Sequence, residues 1–159
     1  CDAYDKFLPL SIRAFEWFAH VPGFIAMLGQ VCKLSVAQRL IIKLVAKHPI
    51  EDRVRQSYMQ PITTNKGVQR DVGKLLRGIS TRYTTIAASK FGDFDKPVLL
   101  VWASEDFLFT TQYAERLQRD FPHATLHYVK DSYAFISEDQ PEQLTRHIET
   151  FMSVPVPQH

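Results

Sequence analysis

Hydrophobic positions follow two different patterns in the two halves of the chain. In residues 1–92, apolar side chains recur mainly at helical spacing, and Pro or Gly residues interrupt the runs. Clear examples are "GFIAMLGQVCKL", which starts at Gly23, and "VAQRLIIKLVAKH", which starts at Val36. We therefore predict a series of short helices, two of which end at Pro49 and Pro61.

The second half alternates between strand and helix patterns. "KPVLLVW", from Lys96, is a continuous apolar run, which is typical of a strand buried on both faces of a parallel sheet. The amphipathic "TQYAERLQRDF", the strand-like "ATLHYV" and the amphipathic "EQLTRHIETFM" follow in that order. Strand, helix, strand, helix is the order of a parallel α/β unit. Two strands do not make an independent doubly wound sheet, so the predicted core is incomplete.

Composition and charge exclude several classes of protein. The 159 residues are 45% hydrophobic and 23% charged, as in one globular domain or a small unit with an appendage. The net charge is only +2, and the basic stretch Lys66–Arg82 has the helical spacing of a solvated helix face. We therefore predict neither a nucleic-acid nor a membrane partner. Two cysteines define no disulfide framework, so we expect reduced thiols and a cytoplasmic location.

The segment from Lys96 to Phe151 resembles the C-terminal part of the α/β-hydrolase fold. The resemblance lies in the apolar strand, the turn "VWASEDFLF", the loop "KDSYAFISEDQP" and the helix start "DQPE". It is most similar to the branch that includes haloalkane dehalogenases, epoxide hydrolases and related esterases. The resemblance implies a mostly helical cap in residues 1–80, then the last two strands and helices of the core in residues 81–159. The fold class is then α/β with an incomplete parallel sheet.

The same resemblance assigns the position of a catalytic acid. Asp106, in the turn after the first strand, matches the triad acid, which would orient a histidine ring and stabilise its protonated form. The alternative is that Asp106 only closes the turn or caps the next helix. Some relatives carry the acid at the end of an earlier strand, and that position corresponds to Asp2 in the opening "CDAY".

The other catalytic positions of the family are empty in this sequence. Ala134 stands where the family carries its histidine, and a methyl group cannot accept or deliver a proton. His123, His127 and His147 do not match the motif. The fold also needs a nucleophile elbow such as G-x-S-x-G. The six glycines, at positions 23, 29, 67, 73, 78 and 92, include no two that are four residues apart, so the elbow is absent here.

These observations lead to a first hypothesis, that the chain is the C-terminal portion of an α/β hydrolase. Because it begins with Cys1, we expect further sequence upstream that supplies the nucleophile. The substrate would be an ester, epoxide or carbon–halogen bond in a small apolar molecule, with no metal or organic cofactor. The chain alone should not turn over substrate. Candidate pocket-lining residues in the cap, whose alternative role is ordinary packing, are Phe15, Trp17, Phe18, Phe24 and Met27.

A second hypothesis comes from a different class of protein. The chain could stand alone as a non-catalytic binding or dimerisation module derived from a hydrolase. An incomplete sheet exposes strand edges, and pairing two copies would cover them. This hypothesis predicts a homo-oligomer.

Overall fold

A computed structural model gives the structure of residues 17–153. Helices make up the part before the sheet: α1 (Phe24–Val31), α2 (Ser35–Lys43), α3 (Asp52–Thr64), α4 (Lys66–Gly78) and α5 (Thr81–Ala88). A 3₁₀ turn at Phe91–Asp93 follows them. The predicted helical series is therefore present in residues 17–92, while residues 1–16 lie outside the described residues. The predicted division of the chain at residue 80 stays a prediction.

The second half contains the predicted α/β unit. Its elements are β1 (Val98–Ala103), α6 (Thr111–Asp120), β2 (Ala124–Val129), α7 (Ile136–Asp139) and α8 (Pro141–Ser153). The two strands pair in parallel, from Val98 opposite Ala124 to Ala103 opposite Val129. Their carboxyl ends therefore meet at the same edge of the sheet, where the following turn and loop begin.

Two predicted helix ends are wrong. α3 does not stop before Pro61 but continues to Thr64. A proline removes one backbone donor, and the Asn65 N–H closes the last turn by donating to the Pro61 carbonyl at 3.0 Å. The helix predicted to reach Pro49 ends earlier, at Lys43. The N–H groups of Val45 and Ala46 still donate to the Ile42 carbonyl, but those of Lys47 and His48 bond to the loop after β2, as described below.

One cluster of buried apolar residues lies at the carboxyl ends of the strands. Ala103, Val129 and Ile136 form it, with Val101 and Leu144 packed against it. The remainder of β1 is only half-buried, so the expectation of a strand buried on both faces is wrong for the described chain. The physical reason is that the sheet in residues 17–153 has two strands, which leaves much of β1 without a covering layer.

The helical half leaves many apolar side chains exposed. They concentrate between residues 17 and 44: Trp17, Phe18, Val21, Met27, Val31, Leu34, Val36, Leu40 and Leu44. Over residues 17–153, no single helix has the length and apolar character needed to cross a membrane. The bent pair α1 and α2, which meet at 99°, passes that test only when the two are taken together.

Candidate functional site

The turn after β1 holds Asp106 in a fixed position. Asp106 is 9% exposed as a residue, and its Oδ1 accepts the N–H groups of Leu108 at 2.8 Å and Phe109 at 3.0 Å. The Trp102 indole N–H donates to the Phe109 carbonyl at 2.7 Å, which closes the same turn from the strand side. No residue between 17 and 153 donates a hydrogen bond to the second oxygen, Oδ2. Asp106 therefore closes its turn with one oxygen and keeps the other available.

Asp106 and Ala134 line one pocket, which we call the Asp106 pocket. Its volume is 330 Å³. Asp106 is the one charged side chain among the described residues that line it, because every other wall is apolar: Val45, Val101, Trp102, Ala103, Ala134, Phe109, Phe135 and Ile136. The structure thus brings together the predicted acid and the position of the missing histidine, which are 28 residues apart in the sequence.

Loop 130–140, which carries Ala134, is organised by the carboxylate of Asp139. Its Oδ1 accepts the His48 N–H at 2.8 Å, and its Oδ2 accepts the N–H groups of Lys47 and Tyr133, both at 2.9 Å. The hydroxyl of Ser132, a fully buried residue, donates to the same Oδ2 at 3.3 Å. Burial pushes the pKa of Asp139 upward, but these hydrogen bonds outweigh it and lower the pKa below its usual value. One carboxylate therefore shapes the loop and joins it to the helical layer.

A second connection is a group of charged residues that we call the ionic clamp: Lys47, His48, Glu105 and Asp131. The Lys47 ammonium lies 2.6 Å from Glu105 Oε2 and 2.8 Å from Asp131 Oδ1. His48 Nε2 lies 2.9 Å from Asp131 Oδ2. Glu105 Oε1 also accepts the Asp131 N–H at 2.7 Å. Asp131 has a φ of 59°, a left-handed conformation that Asp tolerates better than most residues.

The ionic clamp shifts the titration of its members. Hydrogen bonds from Lys47 and then His48 lower the pKa of the Asp131 carboxyl. The hydrogen bond from Lys47 is also the main cause that lowers the pKa of Glu105. Hydrogen bonds to Asp131 and Glu105 raise the pKa of the Lys47 ammonium. The carboxylates of Asp131 and Glu105 and the ammonium of Lys47 are therefore charged at neutral pH.

The other sequence candidates lie elsewhere. Asp2 is outside the described residues. His123, His127 and His147 do not line the Asp106 pocket. The rings of His127 and His147 stack on each other at 4.5 Å, and burial, followed by the charge of His127, lowers the pKa of His147. None of the three histidines takes the place that Ala134 leaves empty.

The aromatic candidates of the helical half are also separate from this pocket. Trp17 is 80% exposed, and the rings of Phe18 and Phe24 stack on each other at 5.5 Å. Neither they nor Met27 line the Asp106 pocket, and Phe15 is outside the described residues. Val45 is the helical-half residue that reaches the pocket, because its carbonyl accepts the Phe135 N–H at 2.8 Å.

Sequence reasoning missed the residues that connect the two halves. Lys47 and His48 lie 83 or more residues from their partners in loop 130–140, and no local motif marks such contacts. The motif "DQPE" contains Asp139 but does not indicate its hydrogen bonds to the backbone of Lys47 and His48. In the described part of the chain, no group of three or more His, Cys, Asp or Glu side chains could hold a metal ion. That no cofactor is used stays a prediction.

Comparisons with known proteins give the same fold. Residues 17–141 match the family model described as "alpha/beta hydrolase fold". The uncharacterized hydrolase YugF of Bacillus subtilis is 23% identical over 134 residues, which cover 84% of this chain and 48% of that protein. A cis-3-alkyl-4-alkyloxetan-2-one decarboxylase of Shewanella oneidensis is 26% identical over 117 residues, which cover 69% of this chain and 36% of that protein.

A solved structure shows the same likeness. An α/β hydrolase fold protein from Burkholderia ambifaria superimposes with a TM-score of 0.66 at 21% identity, covering 87% of this chain and 48% of that one. The chain thus spans about half, or less, of the length of the curated relatives it matches. The family match extends over more than half of the chain, which confirms the predicted resemblance: the chain belongs to the α/β hydrolase fold family.

Proposed function

We propose that the chain is the C-terminal portion of a hydrolase that cleaves ester, epoxide or carbon–halogen bonds in small apolar molecules. One observation carries the proposal. Asp106 follows β1, Ala134 follows β2, and both line the same pocket. In a catalytic triad, the acid accepts a hydrogen bond from the ring of the histidine that moves the proton. Asp106 Oδ2 accepts no hydrogen bond from residues 17–153, which supports this role for the acid.

This sequence contains residues for only some of the catalytic roles of such a hydrolase. Asp106 would orient a ring N–H at the pocket, while Ala134 supplies no proton carrier. The nucleophile and the oxyanion donors would come from a complementary half, because the sequence has no G-x-S-x-G elbow. The matched residues cover 48% of the Bacillus subtilis relative, which is consistent with a complementary half of similar length.

The substrate class rests on the walls of the pocket. Apart from Asp106, they are apolar or aromatic, which favours an apolar substrate over a charged one. The name of the Shewanella relative describes action on an alkyl-substituted oxetan-2-one, which is a cyclic ester. That name supports the ester among the three bonds that we propose.

The experiment combines an intact mass with an assay on the protein as its source makes it. We expect a mass above 18.3 kDa and, against p-nitrophenyl butyrate, a rate close to the uncatalysed one. We expect Ala134→His to raise that rate about 100-fold or more, because it restores a general base. Asp93→Asn, an exposed acid remote from the pocket, is the control. Rapid turnover by the unchanged protein would contradict the assignment of Ala134 as the empty position.

A haloalkane probe tests the nucleophile of the complementary half. If that nucleophile is an aspartate, its carboxylate oxygen displaces halide and forms an alkyl ester. Hydrolysis of the ester then needs a base to remove a proton from water, and this step should stall. We expect the alkylated protein to accumulate in the mass spectrum. A serine nucleophile would give no such adduct.

A second candidate function is a dimerisation module. It is favoured by the half-buried β1 and by the exposed apolar side chains between residues 17 and 44. Two copies that pair their strand edges would cover these surfaces. Light scattering on the protein from its source decides this: a dimer of mass twice 18.3 kDa supports the module, and a monomer contradicts it.

A further inference from the structure

We propose that a second pocket, in the helical half, binds the phosphate group of a small phosphomonoester. We call it the basic pocket. Its volume is 380 Å³, and its lining residues are Arg39, Ile42, Lys43, Lys47, His48, Pro49, Ile50, Asp52 and Arg55. The basic pocket shares no lining residue with the Asp106 pocket, so binding there does not depend on the hydrolase proposal.

Positive charge dominates the walls of the basic pocket. Asp52 is the one acid among the described residues that line it. Two guanidinium groups share this acid, since Arg55 Nη1 lies 2.7 Å from its Oδ1 and Arg39 Nη2 lies 3.8 Å from its Oδ2. Lys43 has no ion-pair partner among residues 17–153. Three cations therefore face one carboxylate, which leaves two positive charges for an incoming anion.

The other two basic residues of the pocket contribute less. Lys47 and His48 belong to the ionic clamp, in which Lys47 pairs with Glu105 and Asp131 and His48 pairs with Asp131. Neither of these carboxylates lines the basic pocket. The charge available to a ligand therefore comes from the three cations on α2 and α3.

One of these cations is fixed in place before any ligand arrives. Arg55 is 5% exposed, and its Nε donates to Gln38 Oε1 at 3.2 Å. Gln38 in turn donates through Nε2 to the Cys32 carbonyl at 2.7 Å. An ordered guanidinium loses little rotamer freedom on binding, and a buried one is screened less by salt. The Arg39 side chain is 63% exposed and can move toward a ligand.

This arrangement favours a phosphate over a carboxylate. The cations are separate side chains on two helices, which suits a tetrahedral group with three oxygens, whereas a flat carboxylate is matched by one complete guanidinium fork. A phosphomonoester carries close to two negative charges at neutral pH, as many as the pocket leaves uncompensated. Ile42, Pro49 and Ile50 add apolar wall, so a small organic group fits beside the phosphate.

The test is a titration of the full, ¹⁵N-labelled protein with phenyl phosphate at low salt and about pH 7.5, where the ester is mostly dianionic. Benzoate, a monoanion, and phenol, which is neutral, carry the same ring and are the matched ligands. We expect saturable amide shifts in residues 39–55, with a dissociation constant in the millimolar range or below. Benzoate should bind about tenfold more weakly, and phenol should not bind.

Variants of Lys43 test the unpaired charge. Lys43→Met removes the ammonium and keeps an apolar stem, so it should weaken phenyl phosphate binding about tenfold. Lys43→Glu reverses the charge and should abolish binding. Because Lys43 is exposed, we expect both variants to fold. Lys90→Glu makes the same charge reversal at an exposed position outside the pocket and should change binding less than about twofold.

A lipid headgroup is another source of a phosphate monoester. Vesicles of phosphatidylcholine that contain phosphatidic acid present this group at a surface. We expect no cosedimentation with them, because a headgroup held at a bilayer does not reach the buried Arg55.

Four results would overturn the proposal: equal affinity for phenyl phosphate and benzoate, unchanged binding by Lys43→Glu, equal losses in Lys43→Glu and Lys90→Glu, or binding to the vesicles without binding of the free ester. Binding is read without any hydrolase substrate. A protein that binds phenyl phosphate but never turns over p-nitrophenyl butyrate would therefore contradict the hydrolase proposal and not this one.

Discussion

Loop 130–140 and the helical face at residues 17–44 are held in opposite ways. The loop is fixed by carboxylates with many partners, and Ser132 in it is fully buried. The helical face presents apolar side chains to the outside, with Trp17 80% exposed. The loop is therefore held by contacts within this chain, whereas the helical face leaves its apolar side chains exposed in the described residues.

The loop keeps its shape without a histidine because its supports do not involve that position. Asp139 binds backbone N–H groups, and Glu105 binds the Asp131 N–H. Neither of these contacts uses the side chain of residue 134. The loop therefore keeps its structure with alanine at position 134.

The largest expected effect comes from the core beneath the loop. Ile136→Ala should lower the free energy of unfolding by about 2–4 kcal/mol, because it opens a cavity against Ala103 and Val129. Urea unfolding followed by circular dichroism measures this. Ile148→Ala, at a position that is 45% exposed, is the control and should cost less than about 1 kcal/mol. Equal costs would mean that the loop is not the better-packed region.

The next effect concerns the carboxylate that joins the loop to the helical layer. Asp139→Asn should lower the free energy of unfolding by about 2 kcal/mol, because the NH2 group that replaces one carboxylate oxygen would face backbone N–H donors and cannot accept their hydrogen bonds. The amides of Lys47 and Tyr133 should then exchange with solvent faster. Glu149→Gln, an exposed change on α8, serves as the reference. Unchanged exchange at these amides would contradict the role of Asp139.

A smaller effect should appear as a pH dependence. The folded-state pKa values of Asp131 and Glu105 are lowered, so their stabilisation is present above their unfolded values of about 4 and is lost as the pH falls through the folded values. The urea concentration at the midpoint of unfolding should therefore decrease once the pH falls below about 4. In Asp131→Asn, the midpoint should already be lower at pH 7, and its fall in acid should be shallower. Parallel curves for the two proteins would exclude the ionic clamp as a cause.

The smallest effect is expected on the helical face. Met27→Ser and Leu40→Ser, at positions 54% and 61% exposed, should change the free energy of unfolding of the chain by less than about 0.5 kcal/mol. If a complementary half covers this face, the same changes should cost about 1 kcal/mol or more in the complete protein. The free energies of unfolding are therefore to be measured for both the chain alone and the complete protein. Equal small costs in both would mean that the face stays uncovered.

Sequence patterns predicted those parts of the molecule that local physics determines. The apolar run before Trp102 and the alternating "ATLHYV" became β1 and β2, and the amphipathic stretches became α6 and α8. Asp106 and Ala134 were identified through a motif, and the structure places them in one pocket. Whether they act as the motif implies stays a prediction.

The remainder depends on contacts that are distant in the sequence. The helix predicted to reach Pro49 ends at Lys43, and the N–H groups of Lys47 and His48 bond to loop 130–140. Pro61 did not end α3, and the Asn65 N–H still closes the last turn on the Pro61 carbonyl. The predicted burial of β1 was too high. An apolar run shows that a strand can be buried, but it does not show whether further strands or helices are present to cover it.

The distance between Lys47 and Asp139 has a consequence for biosynthesis. Their hydrogen bond spans 92 residues, and ribosomes add about 5–20 residues per second, so the acceptor emerges roughly 5–18 seconds after the donor. During that interval the helices already made have no loop to dock on, and their apolar side chains face the crowded environment of the nascent chain. The apolar side chains of residues 17–44 stay exposed even after the loop has formed, so we expect chaperones, which intercept exposed apolar segments, to bind there both during and after synthesis.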